Sequence, residues 1–315
     1  MKIIEVEKLG SSVSRMAFGR SIMVAANSGA PKVGDVVAVR ALSESVTYGN
    51  LELPSGRLAK IVIGDVLLGV LGKRRALKGF VGEVPDTIVA GDRLHLLNMG
   101  GVIGVCKGHH SSFSDAIEVE VVGLACDADG TIINIGDGAL KPADAMLPSA
   151  PIVMIAGTCM NSGKTVAATE IIKQAANAGL RVAGAKLSGI ACLRDTLHMQ
   201  DNGAFVTASF LDCGLPSTVD HDDLASVAKS ILNHLNSSEP ELIVVELGDG
   251  IVGGYSVDEV LKDEEIKAAI SSFVFCASDY VGVIGGAAVL RGLGIVINVI
   301  AGSVTDSQMG EDYVT

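Results

Sequence analysis

The chain has 315 residues, which suits about two domains. Apolar residues make up 49% and charged residues 19%, a balance that excludes a disordered chain and supplies ample core. A formal net charge of −12, no Trp and 3% aromatics argue against nucleic acid as a partner, since that needs a basic face or stacking platforms.

The N-terminus, "MKIIEVEKLG", has no apolar run of signal-peptide length. The six cysteines are scattered without a CxxC pair, so reduced thiols and a cytoplasmic location are expected. Mean hydropathy is +0.46, and the most apolar stretch is "YVGVIGGAAVLRGLGIVINVIAG". Arg291 interrupts it and Gly292 and Gly294 punctuate it, so a helix followed by a buried strand is expected rather than a membrane span of about 20 residues.

Residues 1–145 read as a β-rich domain. Short Val, Ile and Leu runs alternate with Gly-containing turns, as in "GDVVAVRAL", "LAKIVIGDVLLGVLG", "GDRLHLLN" and "AIEVEVVGLAC". That density of short strands suggests a small barrel or sandwich. A Gly-Asp pair opens three runs, at Gly34-Asp35, Gly64-Asp65 and Gly91-Asp92, where Gly can take positive φ and Asp can bond nearby backbone. The basic cluster Lys73-Arg74-Arg75 with Lys78 reads as a solvated loop. "CKGHH" could begin a zinc site with Cys106, His109 and His110, but no second cysteine pair stands nearby, and a plain loop is expected.

The Pro-bearing stretch "LKPADAMLPSAP" marks a boundary, giving domains 1–145 and 146–315. From Ile152, apolar strands alternate with helices: "IVMIAG" strand, "GKTVAATEIIKQAANAGL" helix, "RVAGAKLSG" strand, "DNGAFVTASFLDCG" helix, "LASVAKSILNHLN" helix and "ELIVVELGDG" strand. Then follow "VDEVLKDEEIKAAI" as one helix, "SFVFCAS" strand, "GAAVLRGLG" helix and "IVINVIAG" strand. This is an α/β domain with a mostly parallel sheet. The chain ends soon after that strand, so the domain either stops at a sheet edge or continues in a longer protein.

Ligands of such sheets sit beyond the carboxyl ends of the strands. There lies "GTCMNSGKTV", Gly157, Thr158, Cys159, Met160, Asn161, Ser162, Gly163, Lys164, Thr165 and Val166. Small residues let backbone N–H groups turn toward an anion, and the helix that follows presents its unpaired N–H groups and positive dipole end. Lys164 can reach phosphate oxygens and the Thr165 hydroxyl can ligate Mg²⁺. Five residues separate Gly157 from Gly163, one more than in G-x-x-x-x-G-K-[ST]. Cys159 reads as a small tolerated loop residue, a nucleophilic role being unmotivated. No N/T-K-x-D follows the late strand, which favours ATP over GTP.

The loop resembles that of dethiobiotin synthetase, G-T-x-x-x-x-G-K-T, within the P-loop superfamily. It is also similar to that of a P-loop family that includes D-amino-acid N-acetyltransferases. The likeness extends over most of residues 152–302 as element order, and is specific in the loop, in "GAKLSG" and in "VVELGDG". It implies a P-loop NTPase-type sheet, preceded here by the β-rich domain. It places Lys186 at a substrate- and phosphate-facing lysine, although Leu187 stands where that family has proline. It also places Glu246 at an acid that helps hold Mg²⁺, with Asp249 a second acidic candidate for metal or substrate. Asp195 or Asp201 would match a metal-binding aspartate. Phosphoryl transfer independently needs such types, positive charge on transferring oxygens and a carboxylate for the metal, and Lys164, Thr165, Lys186 and Glu246 supply them. In the polar segment Ser188 to Ala204, Arg194 and His198 could bind an acidic substrate. The lysine that marks MinD-type loops is absent.

Three functions follow, in order of preference. The first is an ATP- and Mg²⁺-dependent enzyme acting on a small carboxylate or amine, with Lys164, Lys186 and Glu246 as its working groups. The second is an N-acyltransferase whose loop holds acetyl-CoA. The third is a non-catalytic nucleotide-binding module. Neither nucleic acid nor membrane is expected as a partner, and a homo-oligomer is allowed.

Overall fold

A computed structural model describes residues 1–26 and 29–314. It divides into two compact units. Unit 1 comprises Met1–Ala139 with the short segments Ile190–Arg194 and Gly214–Ser217, and unit 2 holds the remainder.

Unit 1 is built on a largely antiparallel sheet. Its pairings run from Glu118–Ala125 to Val36–Ala41, on to Val66–Leu71 and then Val102–His109, and through Arg93–Leu96 back to Glu118–Ala125. The path closes on itself, so these five strands form a small barrel, with one parallel pair between Val66–Leu71 and Val102–His109. Val37, Val39, Leu67, Leu71, Leu94, Leu96, Ile103, Val119 and Val121 fill its interior. The Gly-Asp turns share one geometry: Gly34, Gly64 and Gly91 have φ of 89°, 95° and 96°. The Asp Oδ2 that follows each accepts from the backbone N–H three residues back, Lys32 to Asp35, Val62 to Asp65 and Val89 to Asp92, at 2.7–2.8 Å. Gly136-Asp137 makes a fourth such carboxylate bond, from the Asn134 N–H at 2.9 Å.

In "CKGHH", Cys106 and His109 lie on strand Val102–His109, and the His109 ring meets Phe80 edge-on. Among the described residues no three His, Cys, Asp or Glu side chains are grouped to hold a metal. Nor is any helix long and apolar enough to cross a membrane. In the basic cluster Arg74 is buried rather than solvated; its guanidinium donates to Tyr48 Oη at 2.8 Å and to the Leu97 carbonyl.

Unit 2 contains β1 (Ile152–Gly157), α1 (Lys164–Asn177), β2 (Val182–Ser188), α2 (Arg194–Asp201), β3 (Val206–Ser209), α3 (Leu224–Asn236) and β4 (Leu242–Leu247). These are followed by α4 (Val257–Lys262), α5 (Glu264–Ala269), β5 (Ile270–Cys276), α6 (Tyr280–Gly292), β6 (Val299–Ala301) and α7 (Gln308–Val314). The six strands lie in the order β3-β2-β4-β1-β5-β6 and every pair is parallel. Helices between consecutive strands cover the faces, so strands such as β1 and β4 are almost wholly buried and read as continuous apolar runs. Unit 2 is thus an α/β unit on an all-parallel sheet.

Three expectations change. The helix expected over "DNGAFVTASFLDCG" is instead β3 plus a short 3₁₀ turn, Phe210–Cys213. Gly203, with φ of 108°, ends the preceding helix, and Val206-Thr207-Ala208-Ser209 then pairs with Ala183–Lys186 of β2. The single helix "VDEVLKDEEIKAAI" is two, because Asp263 is extended (φ −69°, ψ 122°) and its carboxylate caps the Ile266 N–H at 3.0 Å. The final strand is only three residues long.

The boundary falls at Ala139/Leu140 rather than at 145. The Pro-bearing stretch is held along α3: Ala143 N–H donates to the Ser226 carbonyl, Ser230 Oγ to the Lys141 carbonyl, Leu147 N–H to Asn233 Oδ1 and Ala150 N–H to Asn236 Oδ1. Leu140–Ala150 is thus a strap fastened to unit 2.

Candidate functional site

At the carboxyl end of β1 the chain turns through Thr158–Gly163 into α1. Thr158 N–H donates to the Cys276 carbonyl at the end of β5, which fixes the loop's entry. Asn161 (φ 61°) and Gly163 (φ 99°) adopt left-handed backbone, which tightens the turn, and Gly163 is the α1 N-cap. Neither a capping side chain nor an acidic residue stands in the first turn of this 14-residue helix, so its positive end is left for an external anion. The lysine fills the loop from within: the buried Lys164 Nζ donates to the Cys159 carbonyl at 2.7 Å. Burial, and then the nearby charge of Lys186, hold the Lys164 pKa below that of an ordinary lysine. An ammonium so disfavoured has most to gain from an anionic partner. Ser162 is fully buried and its Oγ has no hydrogen-bond partner.

Glycines bring the surrounding backbones close. A Cβ at Gly157 would lie 2.4 Å from Ser162 Oγ, and one at Gly250 would lie 2.3 Å from the Thr158 carbonyl. A Cβ at Gly302, just past β6, would lie 2.1 Å from the Ser162 carbonyl. The turn after β4 and the turn after β6 therefore both rest on the loop.

The carboxylate side is built by β2 and β4, whose register pairs Lys186 with Glu246. Glu246 is 1% exposed. Its Oε1 accepts from Thr165 Oγ1 at 3.0 Å and from Lys186 Nζ at 2.7 Å, while Oε2 is buried without a partner. Lys186 Nζ also lies 2.7 Å from Asp195 Oδ2. Burial opposes the Lys186 charge, yet Asp195 and Glu246 together hold its pKa above the ordinary lysine value. Asp249, on the turn after β4, has a buried Oδ1 without a partner. Below the loop, burial pushes the Cys276 thiol up to about 11.

Lys164, Thr165, Lys186, Glu246 and Asp195 thus form one connected cluster, with Asp249 on the adjacent turn. Arg194, His198 and Asp201 are exposed on α2. Asp195 and Asp201 are six positions apart, a rise of roughly 9 Å, so Asp201 is not brought to the cluster. Val166 points outward, 73% exposed. Sequence reading misses Gly250 and Gly302; the signal for each is a glycine one to three residues beyond an apolar strand of the same sheet.

The donor set fits Mg²⁺. The Thr165 hydroxyl and the unpartnered Glu246 Oε2 and Asp249 Oδ1 are hard oxygen donors, too few for a protein-only cage but enough for an ion that keeps waters and phosphate oxygens.

No protein-family model and no curated protein matches the chain. Among solved structures it is similar to the signal recognition particle receptor FtsY from Elizabethkingia anophelis, with 13% identity over 54% of this chain and 58% of that one, at a TM-score of 0.35. It is similar to the cell division protein FtsY from Thermotoga maritima, with 16% identity over 51% and 54% of the two chains, at 0.36. The kinase domain of the Escherichia coli tyrosine kinase ETK gives 13% identity over 50% and 70%, at 0.34. The chain therefore spans only 58% and 54% of the two FtsY chains. Likenesses of this size do not identify the site, whose interpretation rests on its geometry.

Proposed function

We propose that the chain binds a nucleoside triphosphate, ATP in first place, with Mg²⁺, and uses it as an enzyme that activates a small carboxylate or amine, as dethiobiotin synthetase does. One observation carries this: the Thr165 hydroxyl, at the head of the phosphate-loop helix, and Lys186 meet on one oxygen of Glu246, whose other oxygen is buried without a partner. A buried carboxylate oxygen left unpaired is costly, and such a group beside an anion cradle suits a nucleotide-bound cation.

In this proposal backbone N–H groups of the loop and the first turn of α1 hold the phosphates. Lys164 leaves the Cys159 carbonyl for a phosphate oxygen. Thr165 and Glu246 hold Mg²⁺, with Asp249 in support. Bound Mg²⁺ neutralises charge that builds on the phosphate oxygens. Lys186 orients the transferring group or the substrate's carboxylate. Preorganised charges of this kind are the main catalytic resource in phosphoryl transfer.

Thermal unfolding with ATP, GTP or acetyl-CoA, each with and without Mg²⁺, tests it on the wild type and Lys164→Ala. A Mg²⁺-dependent ATP shift that Lys164→Ala loses is the expected result. A shift with acetyl-CoA alone moves the assignment to acyl transfer. No shift with any ligand removes the proposal's basis.

A second reading, a nucleotide-responsive switch without turnover, is favoured by one observation. Ile190–Arg194, which lies between Lys186 and Asp195 in sequence, belongs to unit 1. Tight nucleotide binding with background turnover would select it.

A further inference from the structure

We propose that the Lys186 ammonium is the resident cation of the Glu246 site, and that a divalent metal gains the site only after a polyphosphate draws this ammonium away. The inference rests on the phosphate-loop reading above and adds an order to it.

Glu246 is buried and must be compensated when ionised. The compensating charge is Lys186 Nζ, 2.7 Å from Oε1, the oxygen that also accepts from Thr165. The other ammonium of the cluster, Lys164, is committed to the Cys159 carbonyl. A metal arriving alone therefore meets a carboxylate already neutralised, and is repelled by two ammonium groups. Lys186 has a second carboxylate partner. Asp195 Oδ2 lies at 2.7 Å, with 29% of its side chain exposed, so the ammonium can leave Glu246 without becoming unpaired.

A polyphosphate reverses the balance. Its negative charge gives both lysines a better partner, and Glu246, released, becomes an uncompensated acid beside Thr165. Metal and nucleotide then bind each other's complex much better than the free protein, and the coupling is reciprocal. Lys186 acts here as a positioning residue for the metal site.

The test uses the full chain, Mn²⁺ as probe and electron paramagnetic resonance of free Mn²⁺ as readout, in wild type, Lys186→Gln and Lys186→Arg. Without nucleotide, Lys186→Gln should bind Mn²⁺ at least tenfold more tightly than wild type, and Lys186→Arg, which keeps the charge, should not. A gain below tenfold in Lys186→Gln overturns the proposal, as does an equal gain in Lys186→Arg. If Lys186→Gln does not fold, by circular dichroism, the wild type decides. With the Mn²⁺ bound by the nucleotide in a protein-free titration subtracted, its Mn²⁺ affinity must rise at least tenfold with a saturating non-hydrolysable ATP analogue, and a smaller rise overturns the proposal. A fluorescent ATP analogue, titrated once in EDTA and once with Mg²⁺, separates the two readings. If wild type binds none of it, with or without metal, the phosphate loop itself fails, and the metal-alone titrations still decide the place of Lys186.

Discussion

Lys164 is the residue on which most depends. A ligand at a hundredfold its dissociation constant adds about 2.7 kcal/mol of stability, and Lys164→Ala should lose that increment for Mg²⁺-ATP while keeping its ligand-free fold. Glu246→Gln should keep some nucleotide shift and lose its dependence on Mg²⁺, which the same melts read. Cys276 gives a prediction in pH. Its folded pKa is about 11 against an ordinary 9.0, so the unfolded chain releases this proton first. Its contribution is complete below pH 9 and is lost as pH rises toward 11. Denaturation across that window should show wild type losing on the order of 2 kcal/mol relative to Cys276→Ala. A parallel course for both proteins would contradict the assignment. At this scale the sequence was informative where chemistry and spacing coincide. "GKT" after an apolar strand pointed to the loop, and an acid ending "LIVVE" pointed to Glu246. What was not legible is the pairing of Lys186 with both Glu246 and Asp195. It arises from β2/β4 register and from a helix, α2, within the segment Ser188 to Ala204, whose sequence shows only polarity.

Among elements, the loop depends on its neighbours as much as on itself. Gly302 has φ of 92° and no room for a Cβ before the Ser162 carbonyl. Gly302→Ala should therefore cost about 2–4 kcal/mol in urea unfolding, and weaken nucleotide binding beyond what the lost stability explains. Full binding in a stably folded Gly302→Ala protein would show that the post-β6 turn does not shape the cradle. In unit 1 the repeated Gly-Asp turn makes a comparable claim. Asp35 is buried and accepts from both Lys32 N–H and Asn134 Nδ2, so Asp35→Ala should cost about 2–3 kcal/mol. A cost within 0.5 kcal/mol, the range of ordinary surface changes, would remove its structural importance. These turns were visible as Gly-Asp pairs because φ and side-chain bonding are local. β3 was not, since only its parallel pairing with β2 makes Val206–Ser209 a strand. Closure of the barrel was equally hidden, because pairing of Arg93–Leu96 with two strands at once is a non-local fact.

For the whole molecule, the two units are interleaved in sequence. In unit 1, the buried Glu52 carboxylate accepts from the Leu193 N–H at 2.7 Å, and Asn98 Nδ2 donates to the Ala191 carbonyl at 2.7 Å. A fragment of residues 1–145 would lack both partners and leave a buried acid short of a donor. It should melt at least about 10 °C below the full chain, or fail to fold, by circular dichroism. A fragment as stable as the full chain would show that the later segments add nothing. Composition could place the change of texture near residue 145, but not that unit 1 recruits the segments Ile190–Arg194 and Gly214–Ser217 from beyond it, because those contacts carry no local signature. The strap Leu140–Ala150 has one more consequence. A proline-marked connector of this kind ordinarily exchanges its amide hydrogens with solvent at the rate of an open chain. Here the amides of Ala143, Leu147 and Ala150 are each bonded to a residue of α3. Their exchange should keep time with the opening of that helix, so that deuterium uptake in the connector reports the unfolding of unit 2 rather than the slack of a hinge.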